Sequence, residues 1–144
     1  MIKKIIICLI FVIISTGCFK NEDFVKICKV ENKTTNYKET TKYTISYNNK
    51  DEVTKVVIEK KYNITDSDIL NLIKENTQKY NKNLEKIKGI KSKIIDEDKY
   101  TVTYTLDVPK MEDKYLKSLN VKRNSLKYFN YLQKNNIECT NSNV

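Results

Sequence analysis

The pattern that most restricts this chain is a change of hydrophobic period, from two to the helical 3.6 and back to two. Tyr37–Tyr47 alternates: Tyr37, Thr41, Tyr43, Ile45 and Tyr47 fall on one side, and Lys38, Thr40, Lys42, Thr44 and Ser46 on the other. Tyr100–Val108 alternates without a break, setting Tyr100, Val102, Tyr104, Leu106 and Val108 against Thr101, Thr103, Thr105 and Asp107. β-branched and aromatic residues at period two make half-buried strands. Between these stretches Ile69, Ile73, Tyr80, Leu84 and Ile87, supported by Leu70 and Leu72, recur at helical spacing. They predict one long helix over Thr65–Lys88, its apolar stripe turned to the core.

Local signals divide the rest. Lys26–Asn32 reads as a first short strand. Asn48–Asp51 is a turn cluster, after which Glu52–Tyr62 resumes as the second arm of a hairpin. The run Val56–Val57–Ile58 breaks the alternation and predicts a bulge there. Thr65 fits a helix N-cap with Asp68 three residues on, and Gly89 stands where a helix exit calls for glycine. Gly89–Asp96, a turn at Asp96–Lys99 and Tyr100–Val108 form a second hairpin, which Pro109 ends because proline cannot donate to a ladder. Residues 110–122 are weakly patterned, with a helical turn around Met111–Leu119. A last helix runs from Asn124 or Ser125 to Gln133, with Leu126, Phe129 and Leu132 inward. Asn135 and Asn136 suit a left-handed exit, from which Ile137–Cys139 returns toward the sheet. The fold class is α+β: an antiparallel sheet of two hairpins plus short terminal strands, with the long central helix and a C-terminal helix packed on one face.

The N-terminus carries a different message. Lys3 and Lys4 precede the apolar run Ile5–Ile14, and Ser15, Thr16 and Gly17 precede Cys18. That is the layout of a secretory leader. The apolar run has ten residues, whereas a spanning helix needs about 20. Small residues directly before a cysteine resemble a bacterial lipobox, although Ser15 occupies a position where leucine is usual. The resemblance implies that residues 1–17 are a lipoprotein signal peptide and that the Cys18 thiol is acylated, palmitate being a typical chain. Residues 18–25 would then be a lipidated tether, 26–139 a single α+β domain and 140–144 a frayed tail.

Without its leader the chain keeps 127 of its 144 residues, enough for one core. The net charge is +9, of which Lys3 and Lys4 supply two, leaving +7 on the remainder. Arg123 is the only arginine. Lysine is a hydrated point charge, poor at the bidentate readout of bases, so anionic lipid or wall polymer is the expected partner rather than nucleic acid. Of four cysteines, Cys8 leaves with the leader and Cys18 takes lipid. Cys28 and Cys139 remain, and in the disulfide-permissive compartment of an exported domain they are expected to form a bridge, the alternative being two free thiols. A bridge would close a loop of about 110 residues, for a chain-entropy gain of roughly 4–5 kcal/mol. It requires Cα atoms within about 7 Å.

Chemistry is sparse. There is no histidine, which removes Ser-His-Asp and Cys-His systems and the usual zinc ligands. Two glycines cannot build a phosphate loop. Asp66 and Asp68 read as helix capping, and Asp96, Glu97 and Asp98 as a solvated turn, so no metal and no cofactor is expected. Tyr43, Tyr47, Tyr100 and Tyr104 share faces with aliphatic residues. They either fill the core or line an aromatic pocket for a sugar, peptide or lipid. Tyr128 and Tyr131 are candidate half-exposed contacts on the last helix.

The lipobox cysteine, TKVVIEKKY, ILNLIKENTQKY, YTVTYTLDV and the closing YLQKNNIEC, in this order, resemble the YehR-like family of small bacterial lipoproteins. Asn135–Asn136 stands where a glycine is expected in that family, and Ile137 where an aromatic is common. The resemblance spans most of residues 18–139 and implies an antiparallel α+β fold and membrane attachment, with no assigned activity. The reading is a monomeric, lipid-anchored protein on the extracytoplasmic face of the cell membrane, a non-catalytic binding or structural module for an unknown envelope protein, a wall polymer or a small ligand. Two alternatives stand beside it: a histidine-free enzyme acting on cell-envelope material, and a small ligand-binding subunit linked to transport.

Overall fold

A computed structural model describes residues 23–141. The leader, Cys18 and residues 142–144 lie outside the described residues. The elements in order are β1 (Phe24–Lys33), β2 (Tyr37–Tyr47), β3 (Val53–Ile64), α1 (Ser67–Leu84), β4 (Ile90–Asp96), β5 (Tyr100–Asp107), a 3-10 turn at Val108–Lys110, α2 (Asp113–Ser118), α3 (Ser125–Lys134) and β6 (Glu138–Asn141). The strands form a six-stranded sheet in the order β4-β5-β3-β2-β1-β6, every pair antiparallel. α1 and α3 lie on one face, and the expected α+β class is the observed one.

Register follows from alternation, because slipping one strand by a residue would turn its apolar set outward. The inward residues stack in rows across the sheet. Phe24, Tyr47 and Val53 begin at one end. Then come Lys26–Ile45–Val56–Leu106–Ile90, Cys28–Tyr43–Ile58–Tyr104–Ser92, Val30–Thr41–Lys60–Val102–Ile94 and, at the far end, Asn32–Glu39–Tyr62–Tyr100–Asp96. Ile45, Val56, Val102 and Leu106 are sealed at its centre. Among the described residues no helix lies over the opposite face, which is mostly lysine and threonine, in keeping with the outward half of each alternation.

Several boundaries differ from the sequence reading. β1 begins at Phe24, inside the expected tether, because Phe24 and Val25 pair with Tyr47 and Ser46. β6 includes Thr140 and Asn141 of the expected tail, paired with Ile27 and Lys26. The bulge of β3 falls at Thr54, where Tyr47 faces Val53 while Ser46 faces Lys55, and not at Val56–Ile58. Val57 simply takes the outward side in phase. The α1 cap is Asp66, whose side chain accepts from the amides of Asp68 and Ile69, and not Thr65. The helix stops at Leu84, so Gly89 serves the turn beyond it. The stripe is also rotated: Leu70, Ile73, Thr77, Asn81 and Leu84 turn inward, whereas Leu72 and Tyr80 are exposed. On α3 the inward residues are Ser125, Tyr128 and Leu132, with Phe129 half-buried and Leu126 exposed. Tyr128 is therefore core rather than a surface contact.

Asparagine ends both short helices. Asn120 and Asn136 have φ of 56° and 58°. In each case the next residue donates across the helix end, Val121 to the Leu116 carbonyl at 2.9 Å and Ile137 to the Leu132 carbonyl at 3.0 Å. These are Schellman exits, with Val121 and Ile137 as the buried apolar residues that accompany them. Arg123 holds the segment before α3 in place. Its guanidinium donates to the carbonyls of Val108 (3.0 Å) and Met111 (2.6 Å) and to Asp113 (2.7 Å).

Ile137 then turns the chain into β6, which lies beside β1. Cys28 and Cys139 face each other in this pairing and form a disulfide, their Cα atoms 3.9 Å apart.

Candidate functional site

α1 covers the β4–β5 side of the sheet and α3 the β1–β6 side, and the inward faces of β2 and β3 lie between them. A cleft of about 580 Å³ opens there. Its floor is Tyr43 from β2, Ile58, Lys60 and Tyr62 from β3, and Tyr104 from β5. Thr77, Tyr80 and Leu84 of α1 form one wall, and Ser118 and Leu119 close one end.

Each tyrosine is placed by register. Tyr43, Ile58 and Tyr104 are cross-strand neighbours in one row, and Tyr62 lies two rows further along β3. Tyr80 leans from the helix onto Tyr104, edge to face, with ring centroids 6.2 Å apart at 85°. That arrangement suits the ring quadrupoles. Tyr80 is 50% exposed and forms the rim rather than the core.

A polar pair sits at the far end. Lys60 faces inward, and its ammonium lies 3.4 Å from Glu39, which also accepts from the Thr41 hydroxyl at 2.9 Å. Burial, and then the Glu39 carboxylate, push the Tyr62 phenol well above its ordinary range. Burial first, then Tyr80, Tyr100 and Glu39, push Tyr104 up to about 12. Tyr43 is raised by burial and by its neighbours Tyr131 and Glu39. At neutral pH these groups are uncharged hydroxyls, able to donate and accept.

Of the four tyrosines singled out in the sequence, Tyr43 and Tyr104 reach the cleft. Tyr100 is buried behind it against Tyr62, centroids 6.0 Å apart, with Lys74 over its ring. Tyr47 belongs to the opposite end of the sheet, between Phe24 and Phe129. Tyr62, Lys60 and Glu39 escaped the sequence reading, and Tyr80, expected on the core-facing stripe of the helix, stands at the rim instead. Tyr62 keeps phase with Ile58 on β3, a signal hidden by expecting the bulge at Val56–Ile58. Glu39 alternates in phase with Tyr37 and Thr41, but its charge argued against an inward position. Asp96 pairs with Lys74 at 2.6 Å, and no group of three His, Cys, Asp or Glu converges among the described residues. No helix among them is long and apolar enough to cross a membrane.

No family model matches the chain, and no curated protein matches it. It is similar to an NMR structure of a protein from Streptococcus pneumoniae TIGR4, with a TM-score of 0.55, 16% identity, and coverage of 84% of this chain and 87% of that one. At that identity the likeness is one of fold.

Proposed function

We propose that this chain is a lipid-tethered, extracytoplasmic binding module that holds a carbohydrate portion of the cell envelope in its tyrosine cleft. The observation that carries this reading is the lining itself: four tyrosines beside Ile58, Leu84 and Leu106, with Lys60, held by Glu39 behind it, at one end. Aromatic faces pack against the C–H faces of sugar rings, while neutral phenols and an ammonium exchange hydrogen bonds with hydroxyls. The leader ending in Ser15–Cys18, and the resemblance to the YehR-like lipoproteins, support placement at the membrane. A non-catalytic role accords with the absence of histidine and with Lys60, the one charged residue lining the cleft among the described residues, being engaged by Glu39.

The test is a titration of the isotopically labelled protein with soluble wall-sugar fragments, followed by NMR. Shifts should cluster at Tyr43, Tyr62, Tyr80 and Tyr104, and Tyr62→Ala should weaken binding about tenfold, the equivalent of roughly 1.4 kcal/mol. Absence of shifts at millimolar fragment, or shifts confined to the open face of the sheet, would overturn the reading.

A further inference from the structure

We infer that the Phe24 end of the sheet is a membrane-docking edge that inserts apolar side chains into the lipid interface. The inference rests on the tethering of Cys18 proposed above. Phe24 is 48% exposed and Leu126 57% exposed. They belong to one patch, because Phe24 stacks on Tyr47 at 5.6 Å, Tyr47 meets Phe129 at 5.4 Å, and Leu126 lies one helical turn before Phe129 on α3. Lys26 lays its ammonium over the Phe129 ring at 4.5 Å. Rings and a leucine beside a lysine are the composition of an interfacial contact.

Chain length selects the lipid surface as the occupant. Six residue steps separate Cys18 from Phe24, a reach of at most about 20 Å. The far row of the sheet, at Asn32, is eight residues further along β1, or about 27 Å. An acyl group on Cys18 therefore holds the Phe24 end at the bilayer and leaves the far end outside it. Lys26 is already seated on the Phe129 ring, so the contact depends on apolar insertion more than on anionic lipid. The tyrosine cleft lies in the rows beyond Phe24 and Tyr47 and stays open to its ligand.

The chain contains no tryptophan, so a single introduced one reports its own surroundings. Phe24→Trp, Leu126→Trp and Leu72→Trp are made in the full-length, cell-processed protein and reconstituted into vesicles of phosphatidylcholine with brominated acyl chains. Leu72 is the control. It is exposed on α1 close to Lys74, which pairs with Asp96 in the far row. Emission from Phe24→Trp and Leu126→Trp should fall about twofold and shift to the blue, at low and high salt alike, while Leu72→Trp stays unchanged, since rings at an interface reach about 5–10 Å into the acyl boundary. Quenching of neither, equal quenching of all three, or quenching abolished by salt overturns the docking edge. A blue shift in native membranes without bromolipid quenching points to a protein cover instead and also overturns it. Incorporation of labelled fatty acid is measured on the same samples. Label without quenching defeats the docking edge alone, and absence of label defeats the tethering with it.

Discussion

Opening the Cys28–Cys139 bridge should cost this domain a large part of its stability. The two residues are 111 apart in sequence, so the bridge closes most of the chain into one loop. The chain-entropy relation for a loop of that size gives about 16 cal/mol/K, or about 4.8 kcal/mol at 25 °C. The unfolding entropy of the 119 described residues is about 250 cal/mol/K near the melting point, which converts that figure to a loss of about 15–20 °C in Tm. The comparison of choice is the oxidised against the reduced wild-type chain, since reduction removes the crosslink and leaves the side chains in place. Cys28→Ala with Cys139→Ala should fall slightly further, because Cys28 is wholly buried. Calorimetry gives the Tm. Hydrogen exchange adds location: β6 has four residues and lies at a sheet edge, so its amides should lose protection first on reduction. A drop in Tm below about 4 °C, corresponding to about 1 kcal/mol, would refute the claim that this crosslink carries a major share of stability.

Three further outcomes follow from particular residues. Gly89 has φ of +92°, and a Cβ there would lie 2.9 Å from both the Asp107 carbonyl oxygen and the Met111 Cγ. Gly89→Ala should therefore cost about 2 kcal/mol or more, read from the urea midpoint. Asn136 holds a left-handed exit that glycine occupies without strain, so Asn136→Gly should raise stability by about 0.5 kcal/mol with an unchanged denaturant slope. Burial raises the phenols of Tyr43, Tyr62, Tyr100, Tyr104 and Tyr128. An acid whose folded pKa exceeds its unfolded value of about 10 stabilises fully below that pH, and the contribution disappears as pH climbs through the folded value. Tyrosinate absorbance at pH 11 should consequently fall short of ten residues while the fold persists, and thermal stability should decline from about pH 10 upward.

Much of this architecture was legible in the sequence because period-two alternation dictates both strand and face. Tyr37–Tyr47 and the strand over Tyr100–Asp107 were placed nearly to the residue, and cysteine arithmetic pointed to the pair that now joins β1 to β6. What was lost was phase in the helices. On α1, Ile69, Leu70, Leu72 and Ile73 offer two overlapping stripes, and only packing against the sheet selects Leu70 and Ile73. The choice sends Tyr80 to the rim of the cleft. On α3, burying Tyr128 displaces Leu126 to the surface, a displacement that no local propensity encodes. The cleft was half legible for the same reason. Tyr43 and Tyr104 follow from alternation within their strands, but the gap that makes them a site is set by where two helices do not meet. The inward Glu39–Lys60 pair could be anticipated only by letting alternation outweigh charge.

The proposed lipid tether would fix where this cleft operates, and the mass of the chain extracted from bacterial membranes tests it most directly. The account predicts a mature protein beginning at Cys18, heavier than residues 18–144 by an acylated glyceryl group, and loss of that mass and of membrane retention in Cys18→Ala. A chain that keeps residues 1–17, or one that begins at Cys18 with an unmodified thiol, would contradict it.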